Sequence, residues 1–214
     1  MAIICPAILA SNKEIYRQEM ERIGRHATRV QIDLTDSLFA SNPTVGPAEA
    51  WWPVGVKADF HFMYRRPIPA VRKILEHKPN MVIVHAEAEG DFNEVADFCR
   101  NHEVLVGVAL LPRTDPKKIL PSLPKIDHIL IFSGDLGRYG GHADLSLLAK
   151  ITSFKAHKPE LEFGWDGGVN DQNVSRLVSG GVDVLNVGGF IQEAEDPVKA
   201  LSNLQRIADE TGTT

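Results

Sequence analysis

Eight short runs rich in Val, Ile and Leu recur along the 214 residues, and a longer amphipathic or irregular segment follows each. They occupy 3–9, 30–34, 56–63, 81–85, 104–110, 128–132, 161–165 and 184–187. Strands of unbroken apolar character are buried on both faces, and helical connections between them mean parallel pairing. Helical spacing covers 12–26, Pro67 opens a helix to about His77, and Asp91 caps one reaching Asn101. Further helices are expected at 115–123, 145–157, 170–179 and 196–210, with an irregular stretch after the second strand. The pattern predicts one α/β domain over residues 1–214, a parallel eight-stranded TIM (β/α)8 barrel at the short end of its size range. A doubly wound open sheet would place a glycine fingerprint after its first strand, where Pro6-Ala7-Ile8-Leu9 stands instead.

Hydrophobic residues make up 43% and charged residues 24%, the balance of a globular chain rather than a disordered one. A net charge of -5 gives no electrostatic footprint for nucleic acid. No apolar run approaches the roughly 20 residues that span a bilayer. Cys5 and Cys99 lack metal-ligand or secretory spacing and read as reduced, buried thiols. These features predict a cytoplasmic protein with a small-molecule partner, and a homo-oligomer is expected.

Three polar side chains stand where packing gives them no reason to be. Asp33, His61 and Asp166 each close a separate apolar run. In a parallel barrel the C-terminal ends of the strands form the mouth where chemistry is done. Strands two and seven then face each other across that mouth, and their carboxylates address opposite faces of a bound substrate. Such a pair suits removing a proton from one face of a carbon and returning it to the other. The carbon must be acidified by a carbonyl, and the enediolate stabilised electrostatically. His61 and the two aspartates also form a candidate site for a divalent cation. His85 and Glu87, at the end of the fourth run, line the same mouth without an assigned role.

Glycine pairs cluster late: Gly140-Gly141, Gly167-Gly168 and Gly188-Gly189 follow the sixth, seventh and eighth runs. Loops there commonly cradle phosphate, because glycine lets backbone N–H groups approach an anion closely. Arg138 offers a cationic contact in the same loop, or is an ordinary exposed arginine.

With these motifs in view, the chain resembles the ribulose-phosphate 3-epimerase family over nearly its whole length. The resemblance is carried by Pro6-Ala-Ile-Leu9, Gln31-Ile-Asp-Leu-Thr-Asp36, Asn42-Pro-Thr-Val-Gly46, Asp59-Phe-His-Phe-Met63, Tyr139-Gly-Gly141, Asp166-Gly-Gly-Val169 and Glu195-Asp-Pro197. It implies a TIM barrel in which Asp33 and Asp166 epimerise C3 of a ketose phosphate through a metal-stabilised enediolate. It also implies that Asp33, His61, Asp166 and the residue at position 31 hold the metal, as zinc, manganese, iron or magnesium.

Several departures from the family pattern fall on functional positions. Gln31 replaces a ligand histidine, Ala7 a substrate-contacting serine and Thr35 a methionine, while Ser37, His142 and Gly189 also differ. A neutral amide oxygen is a poor zinc ligand, so Gln31 weakens any metal site. A non-catalytic phosphosugar-binding paralogue is therefore a second expectation. A barrel lyase or decarboxylase is a third, but it would want Asp-x-Lys-x-x-Asp where strand two reads Asp33-Leu-Thr-Asp36.

Overall fold

All eight apolar runs are strands, and they close on themselves. A computed structural model describes residues 1–212. The strands are β1 (Ile3–Ile8), β2 (Arg29–Thr35), β3 (Lys57–Met63), β4 (Met81–His85), β5 (Leu105–Leu110), β6 (His128–Phe132), β7 (Glu162–Asp166) and β8 (Val184–Val187). They pair in chain order, every pairing is parallel, and β8 returns to β1. Around them run α1 (Lys13–Ile23), α2 (Ile68–Leu75), α3 (Phe92–Asn101), α4 (Leu148–Lys155), α5 (Val174–Ser179), α6 (Gly189–Gln192) and α7 (Pro197–Gly212). Among the described residues no helix is long and apolar enough to cross a membrane.

Caps set several of the boundaries. Asn12 Oδ1 accepts from Ile15 N at 3.0 Å and Asp91 Oδ1 from Asn93 N at 2.8 Å, satisfying amides the helices leave free. The segment after β5 is a 3-10 helix, Pro116–Lys125, because Pro121 and Pro124 remove amide donors an α-helix would need. The helix after β7 starts at Val174 rather than 170, since Asn170 and Asn173 tie the intervening residues into a side-chain-bonded turn. The short α6 directly after β8 was not expected from the sequence.

The two-residue period of a strand sorts the side chains. On β2, Val30, Ile32 and Leu34 enter the core between barrel and helices, while Arg29, Gln31, Asp33 and Thr35 have the opposite phase. The same alternation separates Asp59, His61 and Met63 from Phe60 and Phe62, and Asp166 from Trp165. Met81, Ile83, Ala109 and Leu130 form a second, smaller apolar cluster distinct from the outer core. Nearly every chemistry-bearing side chain therefore projects into the barrel.

The N-terminal end of the barrel is closed by charge rather than hydrocarbon. Arg29 grips both oxygens of Glu162 at 2.8 Å and hydrogen-bonds Asp59 through Nε. Asn80 Nδ2 donates to Asp59 at 2.6 Å, and His128 Nδ1 meets Glu162 at 2.7 Å. Burial raises the Glu162 carboxyl, but its bonds to His128 and Arg29 win and hold it well below the usual range. This network links β2, β3, β6 and β7, and Gly164 leaves room for it: a Cβ there would lie 2.4 Å from His128 Nε2.

Candidate active site

The mouth is assembled from adjacent strand ends. Asp33 and His61 are register partners on β2 and β3, and Asp166 lies opposite Phe132 on β6 and Asn186 on β8. Gln31, two residues before Asp33, donates from Nε2 to Asp33 Oδ1 at 2.9 Å and to Asp166 Oδ2 at 2.7 Å. One amide thus bridges the two carboxylates expected to face one another. His61 Nδ1 lies 2.9 Å from Asp33 Oδ1 and 3.6 Å from Asp166 Oδ2. Burial and the neighbouring Asp33 charge push the Asp166 carboxyl up to about 7, against the opposing influence of His61 and Gln31.

Asp33, His61 and Asp166 each present one ligand atom, all within 4.8 Å of one another. Two carboxylate oxygens and an imidazole nitrogen suit zinc, manganese, iron or magnesium. Gln31 Oε1 is buried without a hydrogen-bond partner, and a turn of the amide that now presents Nε2 to both carboxylates would offer this oxygen as a fourth contact. The residues present fit a divalent cation.

Behind His61 stands a second imidazole. His61 Nε2 and His85 Nε2 are 2.9 Å apart, and His85 Nδ1 faces Glu87 Oε2 at 3.4 Å. Burial pushes His85 down to about 4, so it is neutral at physiological pH. Phe39, from the loop after β2, packs against His85 with ring centroids 4.7 Å apart and the planes tilted by 41°. That loop is fixed by Asp36, which accepts from Leu38 N, Phe39 N and Arg65 N at 2.7–2.9 Å.

Gly140, Gly167, Gly168, Gly188 and Gly189 line one cavity with Ala7, Asp33, Asp166 and Asn186, while Gly141 borders the adjoining groove. Gly167 and Gly168 have positive φ, and a Cβ on either would come within 2.0 and 2.3 Å of backbone nitrogen in the loop after β6. Among the described residues, the N–H groups of Gly140, Gly141 and Gly168 donate to no protein acceptor. Arg138 is exposed at the rim. Tyr139 beside it is tied inward: its hydroxyl accepts from Leu9 N and donates to Glu19, both at 2.7 Å. Its ring fills the place a Gly188 side chain would take, with a Cβ–ring approach of 2.5 Å.

The sequence therefore locates Asp33, His61, Asp166, Gln31, Gly140, Gly167, Gly168, Gly188 and Gly189, which converge, and Gly141 and Arg138, which stay peripheral. It misses Tyr139 as a loop anchor, the link from His85 to His61, and Asn186. A polar residue inside Val184-Leu-Asn-Val187 was the available signal for the last.

The model of the ribulose-phosphate 3 epimerase family matches residues 3–192. The chain belongs to that family. It is 27% identical over 212 residues to a ribulose-phosphate 3-epimerase of Helicobacter pylori, covering 95% of this chain and 97% of that one. The enzyme of that name from Bacillus subtilis is 27% identical over 215 residues, with 96% and 99% covered. The Schizosaccharomyces pombe enzyme is 25% identical over 217 residues, with 95% and 92% covered. Among solved structures, 3-hexulose-6-phosphate synthase from Salmonella typhimurium superposes with a TM-score of 0.71 at 12% identity, covering 98% of this chain and 99% of that one. Orotidine 5'-monophosphate decarboxylase from Sulfolobus solfataricus gives 0.66 at 12% identity, covering 99% and 100%. At that identity the two structures speak for the barrel alone.

Proposed function

We propose that this chain is a ketose-phosphate 3-epimerase in which Asp33 and Asp166 relay the C3 proton. The observation that carries the proposal is the placement of these two carboxylates on β2 and β7, lining one cavity. A base on each side of a bound ketose takes the proton from one face, and its counterpart returns one to the other. An Asp166 carboxyl near 7 is matched to that task, holding or releasing a proton at neutral pH. The glycine-lined end of the cavity, with its unpaired N–H groups, is the natural seat for the phosphate.

A divalent cation bound by Asp33, His61 and Asp166 would supply charge stabilisation for the enediolate oxygens, and Gln31 could join them as a weaker donor only by turning its amide to bring Oε1 to the ion. The chain's own part is to orient the sugar, to hold both carboxylates in a mostly buried mouth, and to present Gln31 N–H between them. The family's named members are epimerases, and we place this chain with them as a cytoplasmic enzyme of pentose phosphates. A non-catalytic phosphosugar-binding protein is the second reading, favoured by Gln31 tying the two carboxylates together. A lyase is disfavoured because Lys57 begins β3, at the end of the barrel away from the mouth.

Incubation with D-ribulose 5-phosphate in deuterated water tests the proposal. Epimerisation with deuterium entering at C3 is expected. Binding without exchange at C3, for this and other ketose phosphates, would leave the non-catalytic reading standing.

A further inference from the structure

Asn186 is a polar residue in an otherwise apolar strand, Val184-Leu-Asn-Val187. Its neighbours Leu185 and Val187 pack into the outer core, so Asn186, of opposite phase, projects into the barrel. It is 2% exposed, and its Nδ2 is buried with no hydrogen-bond partner in the protein. A buried amide left unpaired costs folding free energy, and a valine or leucine would fill this strand position without that cost. Stability alone does not account for the asparagine.

Its surroundings supply a reason. Asn186 lines the cavity shared by Asp33, Asp166 and Ala7, and is the register partner of Asp166 on β7 and of Cys5 on β1. Ala7, two residues beyond Cys5 toward the mouth, presents only a methyl group to that cavity. The stranded amide is thus beside the proposed base and borders the same void. No protein oxygen is placed to accept its N–H, and a turn of the amide brings that N–H to the void.

We propose that Asn186 determines specificity by hydrogen-bonding a sugar oxygen, hydroxyl or carbonyl, next to the carbon whose proton Asp166 exchanges; the inference rests on the epimerase reading above. Binding then completes a hydrogen bond that the ligand-free protein leaves unmade, and a sugar lacking that oxygen is rejected because the amide stays unpaired.

Asn186→Val tests it, with affinities for D-ribulose 5-phosphate and for inorganic phosphate read by calorimetry, and the melting temperature read without ligand. The variant should melt higher than the parent and bind the ketose phosphate about tenfold or more weakly. Its affinity for inorganic phosphate should stay within about twofold, because the glycine loops are untouched. Asn186→Ser, keeping a donor in a smaller volume, should fall between the two, and it carries the same comparison if the valine variant does not fold. Unchanged ketose-phosphate affinity with a raised melting temperature would overturn the inference while sparing the epimerase reading. Equal loss for both ligands would also overturn it, since the effect would then lie in the phosphate loops. A parent that binds phosphate but no ketose phosphate would bring down the epimerase reading and this inference together.

Discussion

His61 and His85 face each other nitrogen to nitrogen, Nε2 to Nε2 at 2.9 Å, so one ring must donate and the other accept. The choice is made further back. Glu87 accepts from Leu111 N at 3.3 Å and from the Thr114 hydroxyl, and its Oε2 faces His85 Nδ1. Burial raises the Glu87 carboxyl, but the nearby His85 ring and the Thr114 hydroxyl prevail and bring it down to about 2. An ionised Glu87 wants the proton on His85 Nδ1. His85 Nε2 is then bare and accepts from His61 Nε2–H. What lies between His61 Nδ1 and the two aspartates is consequently a proton or a metal cation.

Glu87→Gln should reverse that chain, because an amide N–H donates to His85 Nδ1 and drives His61 to the other tautomer. Ring nitrogen shifts of His61 should move accordingly in 15N spectra. Manganese affinity should drop by about 10- to 100-fold, as expected when the partner orienting a ligand histidine is lost. An unaltered His61 tautomer in the variant would show that Glu87 does not set it.

Asp33→Asn and Asp166→Asn each remove one base while keeping the side-chain shape. Epimerisation should slow by about 10²–10⁴ in either variant. Ketose-phosphate affinity should change little, because the glycine loops are intact. The informative quantity is solvent-deuterium exchange at C3 from each epimer: each variant should lose exchange on one face, and the two should lose opposite faces. Loss from the same face in both would refute a two-base relay.

The barrel was legible because eight apolar runs separated by helical segments leave few alternatives. Asp33, His61 and Asp166 were legible because a titratable residue ending a buried strand conflicts with its neighbours. Arg29 and Glu162 begin strands, where charge draws no notice, and their contact bridges 133 residues of chain. Tyr139 looked like part of a glycine loop, and only the fold brings it to Leu9, 130 residues away. His85 showed in the sequence, but its pairing with His61 depends on how two rings meet across neighbouring strands.

Tyr139→Phe deletes the hydroxyl that fastens the loop after β6 to β1 and α1. Leu9 N–H loses its acceptor, and Glu19, whose carboxyl burial already raises, loses a donor. A loss of about 1–3 kcal/mol in unfolding free energy is expected. Phosphate affinity should weaken as well, since Gly140 and Gly141 follow the anchor directly. Denaturant titration beside phosphate calorimetry checks both; a loss of stability alone would separate the anchor from the anion site.

Acid should weaken the fold through the charge network at the base of the barrel. The Glu162 carboxyl lies below its unfolded value, so the native state binds its proton less readily than the unfolded chain. Its contribution is complete above the ordinary carboxylate range, about pH 5 and higher, and declines as pH falls from there. Glu162→Gln should flatten the acid limb of a plot of stability against pH. A limb of unchanged steepness would assign the acid sensitivity to other carboxyls.

Gln31→His is the sharpest test of what the mouth has become. Imidazole is a more basic and stronger zinc ligand than a neutral amide, so with Asp33, His61 and Asp166 it would complete a four-residue site. It would also remove the N–H groups that tie Asp33 to Asp166 at 2.9 and 2.7 Å. Both changes raise the demand for a cation between the carboxylates. Zinc affinity should therefore rise by at least about tenfold over the parent, with manganese gaining less because it tolerates oxygen ligands. Competition with a chromophoric chelator measures both. If neither metal binds more tightly, position 31 lies outside the coordination sphere, and Gln31 serves only to hold the two aspartates together.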